Sequence, residues 1–385
     1  MYPIKKLQDC ATIIAGQSPE SKYYNSTGEG IPFFQGKADF GELYPKVRVY
    51  CSSPTKIAQY NDILLSVRAP VGPTNLSPGT VCIGRGLAAI RPDDSLDLKY
   101  LLYYFRYFET QLSAKGTGTT FKAINQKLIK NLEIPIPPRN EQSRIVAHIE
   151  ELFSELDKAV GTLKTTKEQL EVYRQTVLKE IFDSVSTTSV HIKDVCLDIK
   201  VGIVIKPTQY YVSENGVPAF RNANVRRGYI NDTDWVMISK EGHQQNCRSE
   251  VHTNDVLISR SGANLGMASV VPARYNGYNA IDVVIAVPDI SKVIPEFLAQ
   301  YTNSPMGRAI VKKNERGAAQ GHLNVSAYAN LPIGVPDLQE QEKLVKQISD
   351  RLSVCDSIEK TVDAALAQAD AMRQSILKQA FEEKD

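Results

Sequence analysis

Residues 132–182 read LEIPIPPRNEQSRIVAHIEELFSELDKAVGTLKTTKEQLEVYRQTVLKEIF, and residues 331–381 read LPIGVPDLQEQEKLVKQISDRLSVCDSIEKTVDAALAQADAMRQSILKQAF. Set one above the other, Leu132 meets Leu331, Ile134 meets Ile333 and Pro137 meets Pro336. Glu141-Gln142 meets Glu340-Gln341, Asp157 meets Asp356, Arg174-Gln175 meets Arg373-Gln374, and Phe182 meets Phe381, all without a gap. Two unrelated amphipathic helices would not share one register through a proline-rich start and an exit motif. The stretch is an internal duplication, and a repeat of this size decides the architecture.

Working outward, the upstream regions match more loosely. Asp9 pairs with Asp194, and Gly30-Ile31-Pro32 with Gly216-Val217-Pro218. Asn61-Asp62-Ile63-Leu64 pairs with Asn254-Asp255-Val256-Leu257, Tyr100-Leu101 with Phe297-Leu298, and Gly118 and Asn125 with Gly317 and Asn324. The offset grows along the chain, so the second copy carries longer loops in a shared frame. Related scaffolds bearing different loops have this signature.

The duplicated stretch predicts two long helices. Prolines 135, 137 and 138 close a strand and cannot lie in a helix interior. From Glu141 apolar residues recur in steps of four and three: Ile145, Ile149, Leu152, Leu156, Ala159, Leu163, Leu170, Tyr173 and Val177, with Thr166 as a polar break. The second copy runs Leu344, Ile348, Ile358, Val362, Met372 and Ile376, with Cys355, Ala365 and Ala369 between and Arg351 as its break. A 3.5-residue period with charged outer faces is a coiled-coil signal. The expected fold is α+β: two α/β modules separated by two long antiparallel helices forming a coiled coil, with pseudo-two-fold duplication. The expected segments are 1–140 and 190–337 for the modules, and 141–189 and 338–385 for the helices.

Within the modules, Ile63–Val67, Val256–Ser259 and Val283–Val287 read as strands, the first two after Asn-Asp turns. Residues 98–112 and 295–311 read as helices. Polar and basic residues gather in the intervening loops. In the first module they are Gln35, Lys37, Arg68 after its strand, and Lys115, Thr117, Thr119 and Lys122. In the second they are Arg221, Asn222, Asn224, Arg226 and Arg227, then Ser259, Arg260 and Ser261, then Arg316 and Gln320. Arg, Asn and Gln suit base edges; Lys, Ser and Thr suit phosphate. Arg68 is expected to be the first-module counterpart of Arg260.

Charge follows the same division. Basic against acidic residues number 17 to 11 in 1–140, 6 to 9 in 141–189, 15 to 13 in 190–337 and 7 to 10 in 338–385. Basic modules joined by acidic helices fit nucleic-acid-facing units on solvated connectors. The six cysteines form no C-x-x-C pair and the five histidines no metal spacing, which points to reduced thiols and no zinc site. There is no G-x-x-x-x-G-K-[ST] and no [Asn/Asp]-Pro-Pro-aromatic motif, so neither an ATP site nor a methyl-transfer centre is expected in this chain. No apolar run or leader core predicts a membrane span or export.

The order of module, Ile-Pro-Ile-Pro-Pro…Glu-Gln, long helix ending Arg-Gln…Leu-Lys…Phe, all repeated, resembles the specificity subunit of type I restriction–modification enzymes. Pro32-Phe33-Phe34-Gln35-Gly36 and Ser259-Arg260-Ser261-Gly262 add to the resemblance. In the second copy Gly334 and Asp337 stand where the first has prolines. The resemblance implies a cytoplasmic, non-catalytic, DNA-binding subunit whose two target-recognition modules each read half of a split, asymmetric site in double-stranded DNA. It implies two methyltransferase subunits docked on the helices, which bring S-adenosylmethionine and flip the target adenine. It also implies restriction subunits that bring ATP and Mg. Two other readings are a coiled-coil adaptor with no DNA role and a DNA methyltransferase in its own right. The missing motifs weigh against the second, and the paired basic loops against the first.

Overall fold

The computed structural model describes residues 2–117, 123–185, 187–309 and 322–382. Two compact units emerge: residues 1–163 with 364–385, and residues 164–363. Each unit holds one module, a stretch of the first long helix, Arg139–Asp183, and a stretch of the second, Leu338–Glu382.

In the first unit a four-stranded antiparallel sheet runs in the order Ala11–Ala15, Leu87–Pro92, Ile63–Ser66, Thr74–Leu76. Ile63–Ser66 is buried on both faces, which explains the three successive apolar residues Ile63, Leu64 and Leu65. Ile63 and Leu65 face a core with Tyr100, Leu101 and Phe105, while Leu64 faces a second core with Phe34, Ile83 and Ala89. The strand begins at Asn61, in the left-handed region at φ 65°, a conformation Asn tolerates. The buried Asp62 closes that turn by accepting the Gln59 N–H at 2.8 Å and pairs with Arg91 at 2.7 Å. The helix Leu98–Ala114 starts at Asp97, whose carboxylate caps the Lys99 and Tyr100 N–H groups.

The second unit repeats this plan. Its sheet runs Cys196–Val201, Val283–Pro288, Val256–Ser259, Ala268–Val270, again antiparallel. Asn254 repeats the left-handed turn at φ 73°, and Asp255 accepts the His252 N–H at 2.8 Å. Val256 and Ile258 face the helix Pro295–Asn303, and Leu257 faces Phe220 and Tyr275. The helix expected over 295–311 breaks at Ser304, which is extended (ψ 162°) because Pro305 follows it. In each unit the chain enters and leaves the module through a two-stranded ladder: Ile4–Lys6 with Glu133–Pro135, and Ser189–His191 with Pro332–Gly334.

The Glu-Gln motif has a structural role. Gln142 and Gln341 are fully buried at the starts of the long helices. Gln142 Oε1 accepts the Asp97 N–H at 2.6 Å, and its Nε2 donates to the carbonyls of Ser95 (3.0 Å) and Pro137 (2.8 Å). Gln341 does the same with the Ile294 N–H (2.8 Å) and the carbonyls of Lys292 (2.9 Å) and Pro336 (2.8 Å). Each amide thus ties its long helix to the N-cap of the module helix. The exit phenylalanines are also equivalent. Phe182 packs edge-on against Phe297 and Tyr301; Phe381 packs against Tyr100, Tyr104 and Tyr107.

Within each unit the two helix stretches run antiparallel. In the first, Ile149, Phe153 and Leu377 share a small core with Ile145 and Ile376, and Leu156 is also buried. In the second, Lys167 pairs with Asp363 at 2.6 Å, Arg174 with Asp356 at 2.6 Å, and Arg351 with Glu180 at 3.0 Å. Val177, Leu344, Ile348 and Val362 are buried there; Leu152, Leu163 and Leu170 are half-buried. Four expected seam residues point outward instead: Ala159, which is exposed, and Tyr173, Ile358 and Met372, at 45%, 40% and 46% exposure. Arg174, Glu359 and Arg373, which follow the last three, turn inward, where each arginine reaches across to carboxylate: Arg174 to Asp356 and Glu359, Arg373 to Asp157. Tyr173 and Met372 are duplicates of each other, as are Arg174 and Arg373, so the same departure occurs twice. A 3.6-residue helix drifts from a strict 3.5 repeat, and the crossing ion pairs take the inward places.

Candidate nucleic-acid interface

The first module carries an open groove of about 920 Å³ at the ends of its strands. Gln35, Lys37 and Arg68 line it, together with Ser18, Tyr24, Arg48 and Arg85. Gln35 directly follows the strand Ile31–Phe34, Arg68 follows Ile63–Ser66 by two residues, and Arg85 precedes Leu87–Pro92. Strand termini therefore aim three loops at one place. Asp39 is the one carboxylate among the described lining residues; it holds the Arg48 guanidinium and accepts the Gln35 N–H at 2.8 Å. Arg68 and Arg85 are exposed and also border an adjoining cavity of about 320 Å³ with Thr117, Asn125 and Gln126. Lys115 stands apart, its ammonium 5.1 Å above the Phe108 ring. Thr119 and Lys122 lie outside the described residues.

The second module places its polar residues differently. Asn222, Ser259, Arg260 and Ser261 meet in one network. Asn222 Oδ1 accepts the Arg260 N–H at 2.6 Å and the Ser259 hydroxyl at 3.0 Å, while its Nδ2 donates to Ser261 Oγ at 2.9 Å. The Arg260 guanidinium donates to Asp282 Oδ1 at 2.7 Å and to the Leu323 carbonyl at 2.9 Å. Arg226 reaches the Val225 carbonyl at 3.3 Å, and Arg221 the carbonyl of Asp234. Asn224 is fully buried, with its carboxamide holding the loop through the Arg221 N–H and the carbonyls of Asn231 and Thr233. It is a fixture of the loop, since both ends of its amide are occupied. Arg227 pairs with Glu171 on the first long helix. Nearby, burial and then Arg227 hold the Arg308 guanidinium below its ordinary value. Arg316 and Gln320 lie outside the described residues.

Matched backbone bonds correct one equivalence. The Ile124 N–H donates to the Val67 carbonyl and the Leu323 N–H to the Arg260 carbonyl, each at the same step after its strand. Arg260 is therefore the counterpart of Val67, and Arg68 that of Ser261. Likewise Gly84 N–H to Phe34 O matches Ile281 N–H to Phe220 O, so Gln35 corresponds to Arg221. Three groups escaped the sequence reading: Arg48, Arg85 and Asp282. Arg85, between two glycines before a strand, carried a usable turn signal; Asp282 gave none.

The two modules thus offer different chemistry. The first presents cations to solvent with little acidic compensation, suited to phosphate. The second presents an amide, hydroxyls and a guanidinium already engaged with each other. Among the described residues no three His, Cys, Asp or Glu side chains are placed to share a metal ion. No described helix is long and apolar enough to cross a membrane.

The model of the type I restriction modification DNA specificity domain matches twice, over residues 2–172 and 175–368. The chain is similar to the putative type I restriction enzyme MjaX specificity subunit of Methanocaldococcus jannaschii, 41% identical over 43% of this chain and 38% of the relative. It is similar also to the EcoBI specificity subunit of Escherichia coli, 24% identical over 75% of this chain and 66% of the relative. The matches therefore span about a third to two thirds of these relatives' lengths. Among solved structures, the HsdS subunit of Thermoanaerobacter tengcongensis is 49% identical over 40% of this chain and 37% of that one, at a TM-score of 0.37. The type I S subunit of M. genitalium is 16% identical over 100% of this chain and 97% of that one, at 0.43. With one family model accounting for both copies of the duplicated sequence, the chain belongs to the type I restriction–modification DNA specificity family.

Proposed function

We propose that this chain is the non-catalytic, sequence-reading subunit of a type I restriction–modification complex acting on double-stranded DNA in the cytoplasm. The observation that carries this reading is the family match falling once on each of two modules with one topology and different loop chemistry. In the proposal residues 1–140 and 190–337 each read one half of a bipartite, asymmetric site. Residues 141–189 and 338–385 set the spacing between the half-sites and dock two methyltransferase subunits. Those subunits supply S-adenosylmethionine, and restriction subunits supply ATP and Mg; the chain itself positions the site. Groove cations such as Arg68 and Arg85 engage phosphate, and loop side chains read base edges.

The test is to express the chain together with a type I methyltransferase subunit in a methylation-free host and map N6-methyladenine. A two-part motif with a fixed gap and one methylated adenine per strand is expected. A contiguous motif, or methylation indifferent to the presence of this chain, overturns the proposal.

A further inference from the structure

The Arg260 network is built around an anion, and that anion belongs to the protein. Asp282 sits just before the strand Val283–Pro288 in the left-handed region, at φ 52°. Its carboxylate receives the Arg260 guanidinium at 2.7 Å, the Ser261 hydroxyl at 3.4 Å and the Asn222 amide at 3.4 Å. The Ser261 and Asn222 groups approach Oδ2, and His322 Nδ1 lies 4.0 Å from that oxygen. These groups come from three loops, and a guanidinium, a hydroxyl and an amide N–H converging on one carboxylate are a donor set that also fits a phosphate group. The Asp282 and Arg260 side chains remain 28% and 21% exposed, so solvent reaches the seat.

The first module supplies the contrast. The pairing of its ladder puts Gly86 where the second module has Asp282: the Gly16 N–H donates to the Leu87 carbonyl as the Gly202 N–H donates to that of Val283. No carboxylate stands at that place, and Arg68 and Arg85 face the groove.

We propose that Asp282 occupies, with its own carboxylate, an anion seat that would otherwise take a backbone phosphate of DNA. By filling the seat it weakens the electrostatic hold of the second module and leaves binding there to depend on contacts that read sequence. The inference rests on the DNA-reading function proposed above and adds a regulator of that same surface.

Two variants test it on the full chain. Asp282→Asn keeps the shape and suits a left-handed residue. Asp282→Gly, permissive at that φ, reproduces the residue of the first module. Arg260 itself is a poorer target, because removing it also breaks the bond to the Leu323 carbonyl. Binding to a random-sequence duplex is measured across a salt series, with thermal melting to confirm folding. One added phosphate contact steepens the log K against log salt slope by about 0.9. Both variants are expected to show that steeper slope and to hold the random duplex several-fold more tightly at low salt, while melting like the parent. If the parent binds the duplex in a salt-dependent way and the folded variants match its slope and affinity, the seat is not a phosphate site and the inference fails alone. If the variants bind more weakly, Asp282 positions Arg260 for DNA and the inference fails as well. If the parent shows no salt-dependent binding to any duplex, the DNA reading falls and takes this inference with it.

Discussion

At the scale of single residues, side-chain types that look alike in sequence separate once their partners are known. Arg68 and Arg85 stand exposed at the groove, whereas Arg260 and Arg221 are each engaged by an acceptor within the second module, and Arg227 by Glu171 on the first long helix. Arg68→Ala and Arg85→Ala should therefore each lower the salt slope of duplex binding by about 0.9. Neither should move stability by more than about 0.5 kcal/mol, as befits exposed positions. A variant that melts normally and keeps the parent slope does not contact phosphate. Gln341→Ala should behave in the opposite way. It strands the Ile294 N–H and two carbonyls in a buried place, a cost of roughly 1–3 kcal/mol, which chemical denaturation would read. The sequence marked the Glu-Gln pairs as a signature of the helix start, but not that the glutamine is the internal member. Burial of the Gln341 amide depends on carbonyls 49 and 5 residues away, which no local pattern displays. For the same reason Asn224 read as a base-reading candidate when it is a loop fixture, and Asp282 went unnoticed.

At the scale of elements, the long helices and the main strands were legible because the signals are local and redundant. The Asn-Asp turns, the proline-rich helix starts and the long apolar period each mark a boundary or a face, and each occurs twice. What was not legible was the rotation of the seam past Tyr173 and Met372, because a heptad count assumes that apolar side chains turn inward. The inward positions go to Arg174 and Arg373, which satisfy carboxylates on the opposing helix. Elements are also joined by their exit phenylalanines. Phe182 is 4% exposed and edge-packed against Phe297 and Tyr301. Phe182→Ala should cost about 3–5 kcal/mol, the usual range for emptying a buried aromatic site. Phe381→Ala, at a half-buried ring, should cost less. A negligible loss for Phe182 would show that its ring does not fasten helix to module.

At the scale of the whole molecule the question is what two helices of 45 residues each are for. At ~1.5 Å per residue each is ~67 Å long, close to two turns of B-DNA at roughly 34–36 Å each. If the helices set the distance between half-sites, lengthening both should lengthen the preferred gap. Lys167 and Asp363 pair across the antiparallel helices at 2.6 Å, which identifies opposing points for insertion. One heptad added beside each keeps the apolar seam in phase and adds ~10 Å. At ~3.4 Å per base pair that equals about three base pairs. Three base pairs also rotate the duplex by roughly 100°, since ~10–10.5 make a turn. The helices do not follow that rotation, so twisting or bending of the DNA must absorb it at a cost of a few kcal/mol. The expected result is weaker methylation overall, with the surviving preference shifted to a gap about three base pairs longer. A single-helix insertion controls for damage, because it unpairs the Lys167–Asp363 register without lengthening the pair. A folded double insertion that methylates the original gap at the parent rate removes the helices as the determinant of spacing.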